Sequence, residues 1–280
     1  MNKLPSIRIL RRPGFRWLAA TGASVAETLA RRRPTIVQPL PGKVFLHRHV
    51  DGKMVLPDVY SRMTPQKLKD DTYDIFCFGY TPAEGDTVLD IGAGWGEEAI
   101  TFSRLVGTKG RVIGIEAHPD TYRRLVLNCK YNHLHNVTPL QLAVADVEGI
   151  IAIDDGRPGG AGSVAAKIAG SGNSNVQAVT IDSIVSSHDI DCIDLVKMNI
   201  EGAEQLAIRG MSKSLTKIRH VAISCHDFVL QPGFAGGDPA WFATYDIVTT
   251  FLEKAGFKLA QQRLTDTRPW VQFYVYGSRA

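Results

Sequence analysis

Seven short apolar runs in the last two hundred residues constrain the fold most strongly. Runs of this length, set between stretches of helical periodicity, are typical of buried strands. The predicted strands are Thr87–Ile91, Arg111–Glu116, Val137–Leu142, Asp191–Ile200, Val221–Cys225, Phe257–Leu259 and Val271–Tyr276. The alternation predicts a doubly wound α/β fold with a mostly parallel seven-stranded sheet. The last strand follows a Pro–Trp turn and could be inserted antiparallel.

The charge of the chain is unevenly distributed. Residues 1–50 contain ten Lys or Arg and one acid, Glu27, whereas the remainder holds 22 basic and 27 acidic residues. We therefore predict a basic N-terminal extension over residues 1–50, helical in part, a lead-in segment over 51–82 and a ligand-binding domain over 83–280. Residues 51–280 therefore carry a net charge of −5. This charge argues against nucleic acid as a partner, because neutralisation of phosphates dominates such binding.

The N-terminal extension carries an apolar periodicity. Apolar or small residues recur at steps of three and four, at Phe15, Leu18, Gly22, Val25 and Leu29. This spacing predicts a short helix with one apolar stripe. Residues 1–33 could lie peripherally on an anionic membrane, since each basic residue near such a surface gains about 1 kcal/mol. Alternatively, the helix packs on its own domain or on a second subunit of a homo-oligomer, with its basic face in solvent.

Composition excludes several other classes. The sequence contains no apolar run of the roughly 18 residues that a membrane-spanning helix needs. Its four cysteines are far apart and form no C-x-x-C pair, so we expect neither disulfides nor structural zinc, and a cytoplasmic location. His47 and His49 alternate in an apparent strand. With no third ligand near them in sequence, we expect surface histidines and not metal ligands.

A glycine-rich turn after the first predicted strand indicates a ligand site. The turn contains Gly92, Gly94 and Gly96 and leads into a predicted helix, whose free N–H groups would point at the ligand. A nicotinamide-binding turn would have its third glycine where this chain has Glu97. The acid before the glycines, Asp90, suits a ligand with a cationic head, such as S-adenosylmethionine.

Acids also follow the next two predicted strands. Glu116 could accept hydrogen bonds from ribose hydroxyls, or cap the helix that begins at Pro119. Asp146 could accept the adenine amino group, or serve as a turn residue. Because open α/β sheets bind ligands at the carboxyl ends of their strands, we predict that Asp90, Glu116 and Asp146 line one site.

The sequence resembles the FkbM family of S-adenosylmethionine-dependent methyltransferases from about Thr87 to Phe228. The matching segments are Val88–Gly96, Gly110–Glu116, Leu142–Asp146 and Asp194–Glu204, with Arg209–Gly210 a turn later. The resemblance implies the Rossmann-like class I fold, S-adenosylmethionine as cofactor, and O-methylation of a hydroxyl on a sugar, glycolipid or polyketide-type small molecule. The chain has Asn199 where the family usually has Asp.

The predicted reaction centre lies at the ends of the fourth and fifth strands. His226 has an ordinary pKa suited to a general base, although it could instead satisfy loop backbone. Glu201 could orient the acceptor or His226, or bind the ammonium group of the cofactor. Asn199 shares a strand face with Lys197, and we expect the lysine to pair with Asp90 or Glu201.

Three further expectations concern the surroundings of this centre. Asn199, Glu201 and Asp227 could in principle hold magnesium, but the missing Asp at position 199 leads us to predict metal independence. Glu204 is expected to cap the helix that follows it. The segments Gly156–Asn175 and Gln231–Asp238 are rich in glycine and are predicted to be functional loops.

Three other functions are alternatives to methylation of a hydroxyl group. A nicotinamide-dependent oxidoreductase conflicts with Glu97. A non-catalytic protein with the same fold stays open because of Asn199. The net negative charge of residues 51–280 disfavours an RNA methyltransferase, although the basic N-terminal extension could supply the positive charge.

Overall fold

The computed structural model describes residues 13–154, 167–169, 174–234, 238–260 and 263–279. The helices are α1 (Pro13–Arg31), α2 (Pro65–Ile75), α3 (Glu97–Val106), α4 (Pro119–Asn132), α5 (Ile181–Ser187), α6 (Glu204–Ala207), α7 (Pro239–Phe242) and α8 (Tyr245–Lys254). The strands are β1 (Ile36–Leu40), β2 (Val44–His49), β3 (Gly52–Leu56), β4 (Thr87–Ile91), β5 (Arg111–Ile115), β6 (Val137–Leu140), β7 (Ala143–Val144), β8 (Gly149–Asp154), β9 (Lys167–Ala169), β10 (Ser174–Val179), β11 (Ile193–Met198), β12 (Ile218–Ser224), β13 (Lys258–Leu259) and β14 (Tyr274–Ser278).

The central sheet confirms the predicted fold. Its seven strands lie in the order β13-β14-β12-β11-β4-β5-β6, and each corresponds to a predicted strand. β14 is antiparallel to both of its neighbours, as expected, whereas β12, β11, β4, β5 and β6 run parallel. Both faces are buried: Leu89 packs into the apolar cluster that contains Leu252 of α8, and Val88 into the cluster that contains Phe102 of α3. Consecutive residues of β4 thus point into two different cores.

A three-stranded antiparallel sheet, β1-β2-β3, packs against helices outside the main sheet and was not predicted. It lies between α1 and α4. On one face Phe45 packs with Ala20 of α1, and on the other Leu46 packs with Leu127 of α4. Asn128 of α4 joins this sheet to the glycine turn at Gly92–Gly96. Its amide exchanges hydrogen bonds with the backbone of Val55 and also donates to the carbonyl oxygen of Trp95.

Helix α1 confirms the predicted helix and packs on the chain's own sheet, but through an unexpected face. Ala20, Ala23 and Glu27 are buried against the small sheet. The predicted stripe points outward: Leu18 is 68% exposed and Leu29 is 73% exposed. Small side chains let the helix lie close to the strands, so the larger apolar residues are left on the outer face.

The expectation for His47 was wrong. This residue is fully buried beneath α1, although His49 is only partly buried. All four cysteines carry free thiols. Among the described residues, no helix has the length and apolar character needed to cross a membrane.

A four-stranded sheet, β7-β10-β8-β9, flanks the carboxyl end of the main sheet. Most of the predicted loop Gly156–Asn175 lies outside the described residues, but its described parts include β9 and the start of β10. The loop assignment was therefore too broad. Of the second predicted loop, Gln231–Asp238, residues 235–237 lie outside the described residues.

Candidate active site

A cavity lies where β4, β5 and β11 end. Its polar lining includes Glu116, Asn199 and Glu201, and its apolar lining includes Ile115, Leu142 and Val144. The site is therefore at the carboxyl edge of the sheet, as predicted for this fold.

The glycine turn is held close to β11. Gly92, Gly94 and Gly96 have φ angles of 72°, 56° and 95°, in the left-handed region that favours glycine. A Cβ atom at Gly92 would lie 2.0 Å from the backbone oxygen of Asn199. Only glycine lets these two backbones approach so closely, and Gly92 lines the cavity as a result.

A buried lysine organises the base of this turn. Lys197 Nζ lies 2.9 Å from Asp90 Oδ1 and 3.4 Å from Glu98 Oε2, and it donates a 2.8 Å hydrogen bond to the carbonyl oxygen of Gly92. Burial favours the neutral amine, but Asp90 and Glu98 outweigh it and raise the pKa of Lys197. The expected pairing with Asp90 is confirmed. Asp90 is fully buried and is not among the residues that line the cavity, so its predicted contact with the cofactor stays a prediction.

Glu116 links the turn to the next helix. Its Oε2 accepts a 3.0 Å hydrogen bond from the Gly94 N–H, and its Oε1 accepts a 2.8 Å bond from the N–H of His118, the residue that precedes α4. Burial raises the pKa of Glu116 to about 7. Because Glu116 also lines the cavity, helix positioning and ligand contact are compatible roles.

Asp146 lies away from the cavity wall. Its Oδ2 is 2.9 Å from Arg209 NH2 and accepts a 3.0 Å hydrogen bond from Arg209 Nε. On the same segment Leu142, Ala143 and Val144 line the cavity instead. The contacts of Asp146 seen in the structure are with Arg209, and its predicted contact with adenine stays a prediction.

The turn after β11 is strained and tightly held. Glu201 has φ 56°, which is rare for a residue with a side chain. Glu204 accepts 3.0 Å hydrogen bonds from the N–H groups of Ile200 and Gly202, and the indole Nε1 of Trp241 donates a 2.7 Å bond to the Glu201 carbonyl oxygen. Glu204 therefore fixes the turn before α6 more than it caps the helix. The role of Trp241, forty residues away, has no signal in the sequence.

His226 lies between two carboxylates. Its Nε2 is 3.3 Å from Glu201 Oε2, and its Nδ1 is 3.1 Å from Glu204 Oε1. Burial alone would lower the pKa of His226, but the charge of Glu204 and hydrogen bonding to both acids raise it to about 10. A carboxylate beside each ring nitrogen therefore favours the protonated form of the ring. The prediction that His226 titrates near neutrality as a general base does not suit this environment.

Asp227, considered above as a possible magnesium ligand, accepts hydrogen bonds from backbone N–H groups. Its Oδ2 accepts hydrogen bonds from the N–H groups of Thr244 and Tyr245, at 3.1 and 2.9 Å. These groups lie at the start of α8, so the carboxylate holds that helix in place. Asn199 and Glu201 face the cavity, whereas Asp227 is not among its lining residues.

The sheet order, the glycine turn and the acid at the end of β5 are those of the Rossmann-like class I fold of S-adenosylmethionine-dependent methyltransferases. The family model described as the methyltransferase FkbM domain matches residues 90–259, more than half of the chain. The chain belongs to the FkbM methyltransferase family.

Two relatives and one structure illustrate this similarity. The hexuronic acid methyltransferase AglP of Haloferax volcanii is 27% identical over 156 residues, which are 56% of this chain and 59% of AglP. A 23S rRNA (uracil(1939)-C(5))-methyltransferase of Acinetobacter baylyi is 39% identical over 54 residues, only 12% of its length. The crystal structure of an FkbM methyltransferase from Methylobacillus flagellatus is 16% identical, with a TM-score of 0.50, and the match covers 76% of this chain and 50% of that one. This structural match supports the fold.

Proposed function

We propose that this protein methylates a hydroxyl oxygen of a sugar, glycolipid or polyketide-type small molecule, with a uronic-acid sugar as the first candidate. The observation that carries the proposal is the position of Glu201, which lines the cavity and whose Oε2 lies 3.3 Å from His226 Nε2. The hexuronic acid named for AglP supports the choice of sugar.

In the proposed mechanism Glu201 accepts the proton of the acceptor hydroxyl. S-adenosylmethionine supplies a methyl group on a positively charged sulfur. The acceptor oxygen must lie in line with that methyl group, about 3 Å away. His226 acts as a positioning residue: its charged ring fixes one oxygen of Glu201, and Glu204 and Trp241 fix the turn.

For the cofactor, we propose that Glu116 binds the ribose hydroxyls of S-adenosylmethionine. Gly92, Gly94 and Gly96 lack side chains and leave room for the cofactor beside the turn. The lining supports this assignment, because Glu116 lies among largely apolar lining residues that suit an adenosine group. Replacing Glu116 with Gln should weaken S-adenosylmethionine binding by about 1–3 kcal/mol, the range for an unsatisfied buried hydrogen-bonding group. Calorimetry measures this change. An unaltered affinity would contradict the ribose assignment.

The proposed reaction is tested with S-adenosylmethionine carrying a ¹³C-labelled methyl group. The purified protein is incubated with uronic acids, with the matching neutral hexoses and with lipid-linked sugars. Labelled products are located by NMR and then treated with mild alkali, which hydrolyses methyl esters but leaves methyl ethers intact. We expect an alkali-stable label on a sugar.

Other outcomes distinguish the alternatives. An alkali-labile label on the uronic acids would mean methylation of the carboxylate and would contradict hydroxyl methylation. Label on RNA alone would favour an RNA methyltransferase. Binding of S-adenosylmethionine without turnover on any acceptor would favour the non-catalytic alternative, which Asn199 keeps open.

We also propose that the protein is cytoplasmic and contacts an anionic lipid surface through the outer face of α1. Four free thiols are compatible with a reducing compartment. Trp17 and Leu18 are 60% and 68% exposed on α1, and Arg32 and Arg33 follow its end at exposed positions. Exposed apolar residues beside arginines are the pattern of interfacial helices.

Liposome sedimentation of the full-length chain tests this contact. The variant Trp17→Ser/Leu18→Ser should lose binding to vesicles that contain phosphatidylserine, whereas Leu264→Ser, at another exposed apolar position, should not. Equal sedimentation of all three proteins would reject the membrane contact. A concentration-dependent dimer that the α1 variant abolishes would assign this face to a second copy of the chain.

A further inference from the structure

A buried cluster of one carboxylate and two imidazoles lies between α1 and β2, apart from the cavity described above. Glu27 and His47 are both fully buried, and His49 is partly buried. One ligand atom from each of the three residues lies within 4.8 Å of the others. None of the three lines the methyltransferase cavity.

The hydrogen bonds around the cluster leave lone pairs directed inward. His47 Nε2 is 2.9 Å from the carbonyl oxygen of Asp58, and since a carbonyl only accepts, Nε2 carries the proton. Nδ1 of His47 then has a lone pair when the ring is neutral, and it is buried without a hydrogen-bond partner. Its distance of 3.6 Å to Glu27 Oε1 is too long for a hydrogen bond.

The other two residues repeat this pattern. Glu27 Oε1 accepts a 3.1 Å hydrogen bond from the Ser61 N–H, while its Oε2 is buried and has no hydrogen-bond partner. His49 Nδ1 lies 3.4 Å from the Thr35 hydroxyl, and its Nε2 is likewise buried and unpartnered. Buried polar atoms are almost always hydrogen-bonded. These three atoms have no hydrogen bond, and their ion-pair contacts are long, at 3.5 and 3.6 Å, so the cluster has room for an occupant.

We propose that Glu27, His47 and His49 bind a divalent transition-metal ion, with zinc as the ion of best-matched ligand preference. Two neutral imidazoles and a carboxylate suit zinc, whereas calcium and magnesium take oxygen ligands. Zinc–ligand distances of about 2.0–2.2 Å place tetrahedral ligands roughly 3.3 Å apart. The three side chains need only close together by about 1.5 Å at most from their 4.8 Å limit.

The surroundings match those of metal sites in general. A ligating histidine commonly donates its other N–H to a backbone carbonyl, as His47 does to Asp58. His49 also borders a small cavity that is lined by Asp51 and Thr64 as well as by Arg31 and Arg33. Because Glu27 belongs to α1 and both histidines belong to β2, the metal ties the N-terminal helix to the small sheet.

Arg31 is the group that opposes a cation here. Its Nε lies 3.5 Å from Glu27 Oε2, and its terminal NH2 donates to the Ser61 carbonyl oxygen. If the cluster is instead a simple ion pair between Glu27 and charged neighbours, loss of Arg31 should only destabilise the protein. If the cluster holds a metal, Arg31→Gln should strengthen metal binding, because it removes a repelling positive charge.

Calorimetric titration of the chelator-treated full-length protein with Zn²⁺ tests the proposal, and Co²⁺ reports the coordination through its visible absorption bands. We expect one bound ion and a tetrahedral Co²⁺ spectrum. His49→Gln and His47→Gln should each weaken binding at least ~100-fold, since even residues that only support a ligand change affinity by about 10–100-fold. The matched control is His133→Gln/His135→Gln, another pair two residues apart.

Several results would overturn the metal site. They are the absence of stoichiometric binding, binding that survives in both cluster variants, and binding that disappears in the His133/His135 control. S-adenosylmethionine affinity, measured on the same samples, shows that each variant is folded. His49 is only partly buried, so His49→Gln keeps the test valid if His47→Gln does not fold.

Discussion

Replacement of Lys197 by Met should strongly destabilise the protein. The ammonium group is buried against Asp90 at 2.9 Å and Glu98 at 3.4 Å, and Asp90 is fully buried. Removing one partner of a buried ion pair leaves an uncompensated charge and costs about 3–5 kcal/mol. This is a large part of the 5–15 kcal/mol that typically stabilises a domain. Urea denaturation followed by tryptophan fluorescence gives the change in the free energy of unfolding.

Two comparisons isolate the buried charge. Lys197→Met/Asp90→Leu should recover about 2 kcal/mol or more relative to the single variant, because the orphaned carboxylate is gone. Lys67→Met breaks an exposed pair with Asp71 at 2.7 Å and should change stability by less than about 1 kcal/mol. A loss below about 1 kcal/mol in Lys197→Met itself would refute the reasoning.

The remaining predictions concern single residues of the site. Gly92→Ala should lower the free energy of unfolding by more than the roughly 1–2 kcal/mol that a left-handed backbone costs an alanine, because its Cβ would meet the Asn199 oxygen. The control Gly149→Ala has open space around its Cβ and should leave the urea denaturation curve unchanged. ¹⁵N NMR should find the His226 ring protonated at pH 8, because its pKa is raised to about 10, and a titration near pH 6.5 would contradict the contacts described. The pKa of Glu116 is raised from 4.5 to about 7, so the native state binds the extra proton and stability should fall as pH rises through that window. Glu116→Gln should remove this part of the slope; an identical slope in the variant would exclude the assignment.

The sequence predicted the main sheet well because buried parallel strands leave a direct pattern. Thr87–Ile91 is buried at every position, and three of its five residues are the strand-forming Val, Leu and Ile. The small sheet left no such pattern: β2 contains His47, Arg48 and His49, and its burial depends on α1 and α4. Likewise, the face of α1 that packs consists of Ala20, Ala23 and Glu27, and apolar periodicity alone selected the opposite face.

The candidate site was predicted residue by residue but not as a set of contacts. The positions of Asn199, Glu201 and Glu116 at strand ends predict that they lie at the site. The need to neutralise a buried charge predicts that Lys197 pairs with Asp90 or Glu201, and the structure selects Asp90. The protonation of His226 depends on Glu204, which lies 22 residues away in the chain and places a carboxylate oxygen next to Nδ1 of the imidazole ring. Such a contact follows from the strained turn at Glu201 and has no signature in residue spacing.

The single-turnover rate of Glu201→Gln tests the central claim most directly. The substitution keeps the shape of the side chain and removes its ability to take a proton. With the acceptor found in the labelled-methyl assay, we predict a rate lower by about 10²–10⁴, the usual contribution of a general base, with unchanged S-adenosylmethionine affinity. Glu253→Gln, at an exposed position on α8, is the matched control and should behave as the wild type. A wild-type rate in Glu201→Gln would contradict the account.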